Sequence, residues 1–182
     1  MMNRRAFTKL MLAAPALTMS SPLFARESNL PTVLWAKRNG NDYKLDFFTK
    51  EGYRAVCDLL KDVQANTLAH PDSQLLFALS WMQIWLAQRG HYYPYEILSG
   101  LRTPQTNNRT ENAARNSFHL PDRNNVFRAV DFRMQHIPSE YMSHLAIYIQ
   151  QGGVGIYSRD FVHMDTGQIT GRSGNRRIWR SY

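Results

Sequence analysis

The stretch GGVGIYSRDFVHMDTG, residues 152–167, carries the strongest structural signal in the chain. A glycine-rich turn leads into a run of alternating apolar and polar residues, which predicts a β-strand with side chains on opposite faces. On this strand His163 and Asp165 share one face, and their aliphatic neighbours share the other. Asp160 lies three residues before the histidine. An imidazole with nearby carboxylates on a short, well-bounded strand is typical of a zinc hydrolase.

Two upstream segments add candidate ligands. His119 lies in SFHL and Asp131 lies in AVDF, each on a strand-like segment near a Gly or Pro turn. Taken alone, Asp131 is equally typical of the exposed face of a strand, and His119 is more typical of a surface or hydrogen-bonded residue. Taken together with His163, they favour a metal site over these alternatives, although their spacing matches no compact HExxH-type signature. A catalytic zinc site takes three protein ligands and leaves a fourth position for water.

The remaining pattern predicts an α+β domain. An Asn-Gly turn at residues 39–41 predicts a hairpin, and Pro71-Asp72-Ser73 marks the start of an amphipathic helix. Strands are predicted at residues 32–37, 43–48, 95–98, 130–134, 156–157 and 161–165, helices at 50–63, 75–87 and 139–151, and a polar loop at 103–115. This order predicts a small mixed or antiparallel sheet with flanking helices rather than regular βαβ units.

The N-terminal residues 1–25 predict an export signal, followed by one domain at 26–182. Arg4, Arg5 and Lys9 precede an apolar stretch that is too short to span a membrane, and a small-residue cleavage site follows after Ala25. The paired arginines, followed by Phe and Lys, resemble a twin-arginine signal. The alternatives are an ordinary secretory signal that contains Arg-Arg, or an uncleaved amphipathic anchor. We expect a periplasmic protein without stable membrane insertion once the signal is removed.

Composition narrows the class of partner. Removing residues 1–25 takes away three basic residues and lowers the formal charge from +8 to +5, so the domain stays basic. A basic surface attracts acidic polymers, and outside the inner membrane the peptide carboxylates of peptidoglycan are the expected target. The chain has no zinc-finger spacing or RNA-binding aromatic motif, so nucleic acid is not expected as a partner. Cys57 is the single cysteine, which excludes an internal disulfide.

Several motifs together resemble the murein endopeptidase K type of zinc peptidases. They are SGLRTPQTNN at residues 99–108, SFHL, AVDFR, the stretch at 152–167 and the closing RRIW. The resemblance implies the Hedgehog/D-Ala-D-Ala peptidase fold, a Zn²⁺ cofactor, and ligands at His119, Asp131 and His163. It also implies hydrolysis of amide bonds in peptidoglycan cross-links or stems, with carboxypeptidase action as the next reading. A metal-free peptidoglycan-binding protein that kept the fold is the alternative.

The resemblance leaves the catalytic roles open. Asp160 has the family spacing for a general base, whereas Asp165 has the better strand geometry and could instead orient a ligand. We favour Asp160 narrowly. Arg102 matches the arginine of the SGxRTPxTN segment, where it could stabilise an oxyanion or bind a substrate carboxylate. It could equally be a structural residue that ties the following loop to a carboxylate.

One spacing departs from the family pattern. His119 and Asp131 are twelve residues apart, whereas the family pattern HxxGxAxD separates the first two ligands by seven. We interpret the difference as a five-residue insertion, which chain entropy tolerates. The insertion could add a wall to the substrate site, or it could supply Asp122 as a ligand in place of Asp131.

Overall fold

The computed structural model describes residues 32–149, 152–158, 160–167 and 177–181. The predicted signal at 1–25 and the end of the helix predicted at 139–151 lie outside these residues. The strands are β1 Val33–Arg38, β2 Asn41–Asp46, β3 His70–Pro71, β4 Tyr95–Ser99, β5 Val126–Phe127, β6 Ala129–Met134, β7 Val154–Tyr157, β8 Phe161–Asp165 and β9 Ile178–Ser181. The helices are α1 Lys50–Leu59, α2 Ser73–Ala87, α3 Pro104–Arg109 and α4 Ser139–Ile149.

A mixed sheet forms the centre of the domain. Its strand order is β2-β1-β4-β6-β8-β7-β9, and the described strands β3 and β5 form a separate short parallel pair. The neighbours in the large sheet are antiparallel except for β1 with β4 and β7 with β9. The expectation of an α+β domain with a mixed sheet and flanking helices is therefore confirmed.

The first hairpin follows its turn residues. Asn39 and Gly40 both have positive φ, 51° and 80°, which is the conformation that a two-residue turn between right-twisted strands requires. The predicted hairpin is confirmed, but β2 ends at Asp46 rather than at residue 48. The Asp46 carboxylate accepts a hydrogen bond from the Phe48 N–H, and the chain turns there into α1.

Helix α2 is buried more completely than its pattern predicts. Its start is confirmed, because the Asp72 side chain accepts a hydrogen bond from the Gln74 N–H. The prediction of an amphipathic helix is wrong, since buried residues lie around most of the helix, and Ile84 is exposed instead. The buried Gln83 carboxamide makes this possible, because it bonds both backbone groups of Trp35 and the Tyr93 carbonyl.

Two other boundaries differ from the sequence prediction. The loop predicted at 103–115 contains α3, which begins at Pro104 because Thr103 accepts a hydrogen bond from the Thr106 N–H and proline suits the first helical turn. The helix predicted at 50–63 ends at Leu59. Asp62 closes the following turn by accepting hydrogen bonds from the N–H groups of residues 64 and 65.

The central strand β6 separates the core from a polar face. Val130, Phe132 and Met134 point into the hydrophobic core, together with apolar side chains of α2 and α4. Strand alternation therefore places Asp131 and Arg133 on the opposite face. Within the described part of the chain, no helix has the length and apolar character needed to span a bilayer.

Candidate metal centre

The three predicted ligands, His119, Asp131 and His163, meet on the polar face of the sheet. His119 Nε2 lies 3.2 Å from Asp131 Oδ1 and 3.2 Å from His163 Nδ1, and the latter two atoms are 2.8 Å apart. All three residues are buried, with 1%, 6% and 8% of their surfaces exposed. The three atoms form one compact group that could hold a metal ion.

Sheet register and backbone hydrogen bonds position this cluster. Asp131 on β6 pairs directly with His163 on the adjacent antiparallel strand β8. His119 comes from the loop before β5, and its carbonyl accepts a hydrogen bond of 2.9 Å from the Arg102 N–H. The preceding carbonyl of Phe118 accepts one of 2.8 Å from the Arg128 N–H. The histidine loop is thus held between the segment after β4 and the start of β6.

The outer nitrogen of each imidazole has its own partner. His119 Nδ1 lies 2.6 Å from the Gly100 carbonyl, which can only accept, so the proton lies on Nδ1 and the Nε2 lone pair points into the cluster. His163 Nε2 lies 3.2 Å from Asp165 Oδ2, which leaves Nδ1 for the cluster. Such outer partners fix the ring orientation and tautomer of metal-binding histidines.

Burial and the charges within the cluster shift the pKa values of its carboxylate and imidazoles. Burial lowers the pKa of His119. Burial also acts to lower the pKa of His163, but hydrogen bonds to Asp131 and Asp165 outweigh it and raise that pKa to about 9. Burial acts to raise the pKa of Asp131, yet the two imidazoles hold it well below its ordinary value. The cluster therefore combines an ionised carboxylate with one neutral and one readily protonated imidazole.

The donor set and its dimensions fit zinc. Two imidazole nitrogens and a carboxylate oxygen are the ligands of many catalytic zinc sites. For tetrahedral zinc with its usual bond lengths, ligand atoms lie about 3.3–3.4 Å apart. The separations of 2.8 to 3.2 Å in the cluster need only a small expansion.

The two acids considered as general base lie in different places. Asp165 is fully buried, and besides His163 it accepts hydrogen bonds from the Gly153 N–H at 3.1 Å, the Gly167 N–H at 2.9 Å and Arg177 at 2.5 Å. Asp160 lies in the turn between β7 and β8 with φ of 57°, is exposed, and accepts a hydrogen bond from the Ser139 N–H. The structure brings Asp165 to the cluster and places Asp160 in the turn.

Arg102 contacts the cluster through the carboxylate of Asp131. Its guanidinium donates to Asp131 Oδ2, the oxygen that faces away from the two histidines, and to Ser99 Oγ at 2.9 Å. Ser99 reaches this position because a bulge at the end of β4 shifts the register beside Asp131. Arg102 thus forms the carboxylate tie that was one of its two predicted roles, and it orients Asp131 Oδ1 toward the imidazoles.

The segment between His119 and Asp131, which we interpreted as carrying an insertion, forms a closed local turn. Asp122 accepts hydrogen bonds from the N–H groups of Asn124 and Val126, and it pairs with Arg128 at 2.8 Å. These contacts satisfy its carboxylate away from the three converging atoms. Asp131, rather than Asp122, is the carboxylate that lies with His119 and His163.

The contacts of Arg177 and Trp179, which lie in the closing RRIW, were not predicted from the sequence. The Arg177 guanidinium bonds Asp165 and lies 4.7 Å from the Phe118 ring centre, so it links the end of β8 to the histidine loop. Trp179 lies 5.2 Å from the His163 ring. Its indole crosses Gly155, where a Cβ atom would come within 2.6 Å of it. Arg177 and Trp179 are two residues apart, and this strand period is the sequence signal that could have indicated a shared face.

A mixed-sheet α+β domain with a buried His-Asp-His cluster on its polar face defines a protein with a candidate metal centre of the kind that hydrolases use. The chain belongs to the peptidoglycan L,D-endopeptidase MepK family, whose family model matches residues 26–171.

A relative in Haemophilus influenzae, described as a probable peptidoglycan L,D-endopeptidase MepK, is 28% identical over 116 residues. The match covers 61% of this chain and 59% of the relative, so the chain spans less than two thirds of that protein's length. No solved structure matches the chain.

Proposed function

We propose that the protein is a zinc-dependent peptidase that hydrolyses L,D amide bonds in the peptide cross-links of peptidoglycan. The observation that carries the proposal is the convergence of His119 Nε2, Asp131 Oδ1 and His163 Nδ1 within 3.2 Å of one another. Membership of the MepK family supports the substrate class and the L,D linkage. Carboxypeptidase action on the same stems is the nearest alternative activity.

The proposed roles follow from the contacts of each side chain. His119, Asp131 and His163 would hold zinc, which when bound supplies a Lewis acid that polarises the scissile carbonyl and makes water a better nucleophile. Arg102 fixes the direction of the Asp131 carboxylate. Gly100 and Asp165 fix the tautomers of the two imidazoles.

Of the two predicted acids, we assign importance to Asp165, through its hydrogen bond with His163. Its carboxylate is already bonded to two N–H groups and to Arg177, so it acts as an orienting group. Asp160 contacts Ser139 and is given no part in the bond cleavage. This assignment reverses the narrow preference for Asp160 that family spacing suggested.

We propose a periplasmic location, with residues 1–25 as a twin-arginine type export signal. Peptidoglycan lies outside the inner membrane, so a hydrolase of its cross-links has to be exported. The Hedgehog/D-Ala-D-Ala peptidase fold is proposed on the basis of the motifs at residues 99–108 and 152–167 and of the mixed sheet. The route is tested by fusing residues 1–25 to a reporter protein and measuring its export to the periplasm. We expect export with the natural signal and loss of export when Arg4 and Arg5 are both replaced by Lys.

The activity is tested with purified, zinc-loaded protein on three defined muropeptides: an L,D-linked dimer, a D,D-linked dimer and an uncross-linked stem. We expect chelator-sensitive release of monomers from the L,D-linked dimer. His163→Ala should abolish the release, whereas His144→Ala, which removes an exposed histidine paired with Glu140, should not change it. Binding of all three substrates without cleavage would instead favour a metal-free peptidoglycan-binding protein.

A further inference from the structure

A cleft lies on the polar face of the sheet beside the candidate metal centre. It has a volume of about 1190 Å³, runs over the ends of β1, β4 and β6, and is bordered by the turn between β7 and β8. Its charged lining residues are Lys37, Arg38, Glu96, Arg133 and Asp160. It also includes Leu98 and Val63, whose side chains are large, apolar and exposed. The cleft therefore combines apolar surface with a small number of charges, as ligand sites do.

Three of the charges in the cleft, those of Lys37, Glu96 and Arg133, form an ordered row across neighbouring strands. Glu96 on β4 pairs in register with Lys37 on β1 and with Arg133 on β6. Arg133 donates two hydrogen bonds of 2.7 Å to the two oxygens of Glu96. Lys37 lies 3.6 Å from Asp42 on β2. Positive and negative groups thus alternate at the spacing of adjacent strands, about 4.8 Å.

The row lies one step along the strand from the candidate metal centre. Arg133 follows Asp131 by two residues on β6, so the two side chains share a face and their Cα atoms lie about 6.8 Å apart. On β8, Phe161 precedes Val162, the register partner of Phe132, and it stacks on Tyr157 at 4.3 Å between ring centres, which places an aromatic pair on the strand next to β6 and on β7. A substrate held at the metal would reach the row with a side chain of a few bonds.

We propose that the Glu96–Arg133 pair binds a zwitterionic head group at the end of a side chain of the peptidoglycan stem peptide. The head group consists of an ammonium and a carboxylate on one carbon, and the side chain belongs to the residue whose carbonyl is cleaved. This inference rests on the proposed function. Arg133 donates to the carboxylate and Glu96 accepts from the ammonium. Three methylenes span about 5–6 Å between the two ends of a diamino diacid, which is comparable with the separation of about 6.8 Å between the Cα atoms of Asp131 and Arg133.

The substrate series tests the head group directly. Three L,D-linked dimers are compared: one with a free diaminopimelate head group, one with its carboxylate amidated, and one with lysine, which lacks the carboxylate. Wild-type protein should prefer the free head group over both others by about tenfold or more in kcat/KM, since a hydrogen bond to a charged group is lost in each. Equal rates on all three dimers would overturn the proposal.

Matched variants separate this site from general surface charge. Arg133→Gln should remove the preference for the free carboxylate and act on KM rather than kcat. Glu96→Gln should weaken binding of all three dimers, because each retains the ammonium. Arg180→Gln is the control, since Arg180 forms a similar two-fold hydrogen bond with Glu140, and both pairs are about equally exposed. If Arg180→Gln changed the preference as much as Arg133→Gln, the assignment would be wrong.

A binding measurement keeps this proposal distinct from the proposed function. If wild-type protein cleaves the dimers and Arg133→Gln keeps the same preference, the zwitterion site fails and the peptidase stands. If wild-type protein cleaves none, calorimetric titration with a diaminopimelate tripeptide and with its amidated form decides. Tighter binding of the free form, lost in Arg133→Gln, would support the site; equal binding of both forms would reject it.

Discussion

Asp131 and Arg133 are two residues apart on one strand and face the same side of the sheet, yet their surroundings differ completely. Asp131 is buried and bonded to Arg102 and both histidines, whereas Arg133 is about half exposed and has Glu96 as its hydrogen-bond partner. A buried polar network is costly to disturb because each lost partner leaves a buried group unsatisfied. An exposed ion pair contributes little to stability and can exchange its partner for a ligand. The comparison separates a rigid centre from an adaptable neighbour.

The largest expected effect is at the ligands of the rigid centre. Replacing His163 by Ala removes one of three donors, so we expect zinc affinity to fall by roughly a hundredfold or more and hydrolysis to be lost. Equilibrium competition with a chromogenic chelator measures the affinity. Unchanged zinc affinity in His163→Ala would show that the metal binds elsewhere, and an equal loss in His144→Ala would show a non-specific effect.

The next effect concerns the acid that supports His163. Asp165→Asn removes the charge that fixes the ring and binds Arg177, and we expect zinc affinity or turnover to fall by about 10- to 100-fold. Asp160→Asn should leave both quantities nearly unchanged, because the Asp160 carboxylate accepts its hydrogen bond from the Ser139 N–H, in the turn before β8. Loss of turnover in Asp160→Asn, with Asp165→Asn still active, would reverse the assignment.

A pH dependence follows from the charge on His163. In the metal-free protein its pKa is about 9, above the ordinary value, so below pH 9 Nδ1 carries a proton that zinc must displace. Affinity should therefore rise with pH by about tenfold per unit and level off above pH 9. Calorimetry at pH 7 in buffers of different ionisation enthalpy should report about one proton released per zinc. Zinc binding without proton release would contradict the protonated state.

The smallest effect is expected where the backbone of β7 meets Trp179. A Cβ at Gly155 would lie 2.6 Å from the indole, so Gly155→Ala should push Trp179 from His163 and lower the free energy of unfolding by about 1–3 kcal/mol. Denaturant titration measures the loss. When Trp179 is already replaced by Leu, Gly155→Ala should lower the free energy of unfolding by less than it does in the wild-type protein, because the clashing ring is absent. A full, additive loss in the double variant would exclude this contact as the cause.

The sequence predicted the elements whose signals are local. Strand alternation placed His163 and Asp165 on one face, and the Asn-Gly turn predicted the first hairpin. The internal polar bridge from Gln83 was not predictable, because it depends on which strand lies over α2. The ion pair of Arg177 with Asp165 was not predictable either, because the two residues are twelve positions apart and come together only when β9 pairs with β7.

The choice between the two acids shows the same limit. Spacing along the chain favoured Asp160, three residues before His163. A turn with positive φ at Asp160 directs the chain away before β8 begins, whereas the two-residue period of the strand keeps Asp165 beside the imidazole. The period of the strand therefore indicates which acid contacts His163 better than distance in sequence does, and the catalytic roles of the two acids stay a prediction.

The most direct test of the central claim is the position of zinc in crystals of the zinc-loaded protein, measured by anomalous diffraction at the zinc absorption edge. The account predicts one strong peak within coordination distance, about 2.0–2.2 Å, of His119 Nε2, Asp131 Oδ1 and His163 Nδ1. A loaded crystal with no peak between these three atoms, or with zinc bound at other side chains, would contradict it.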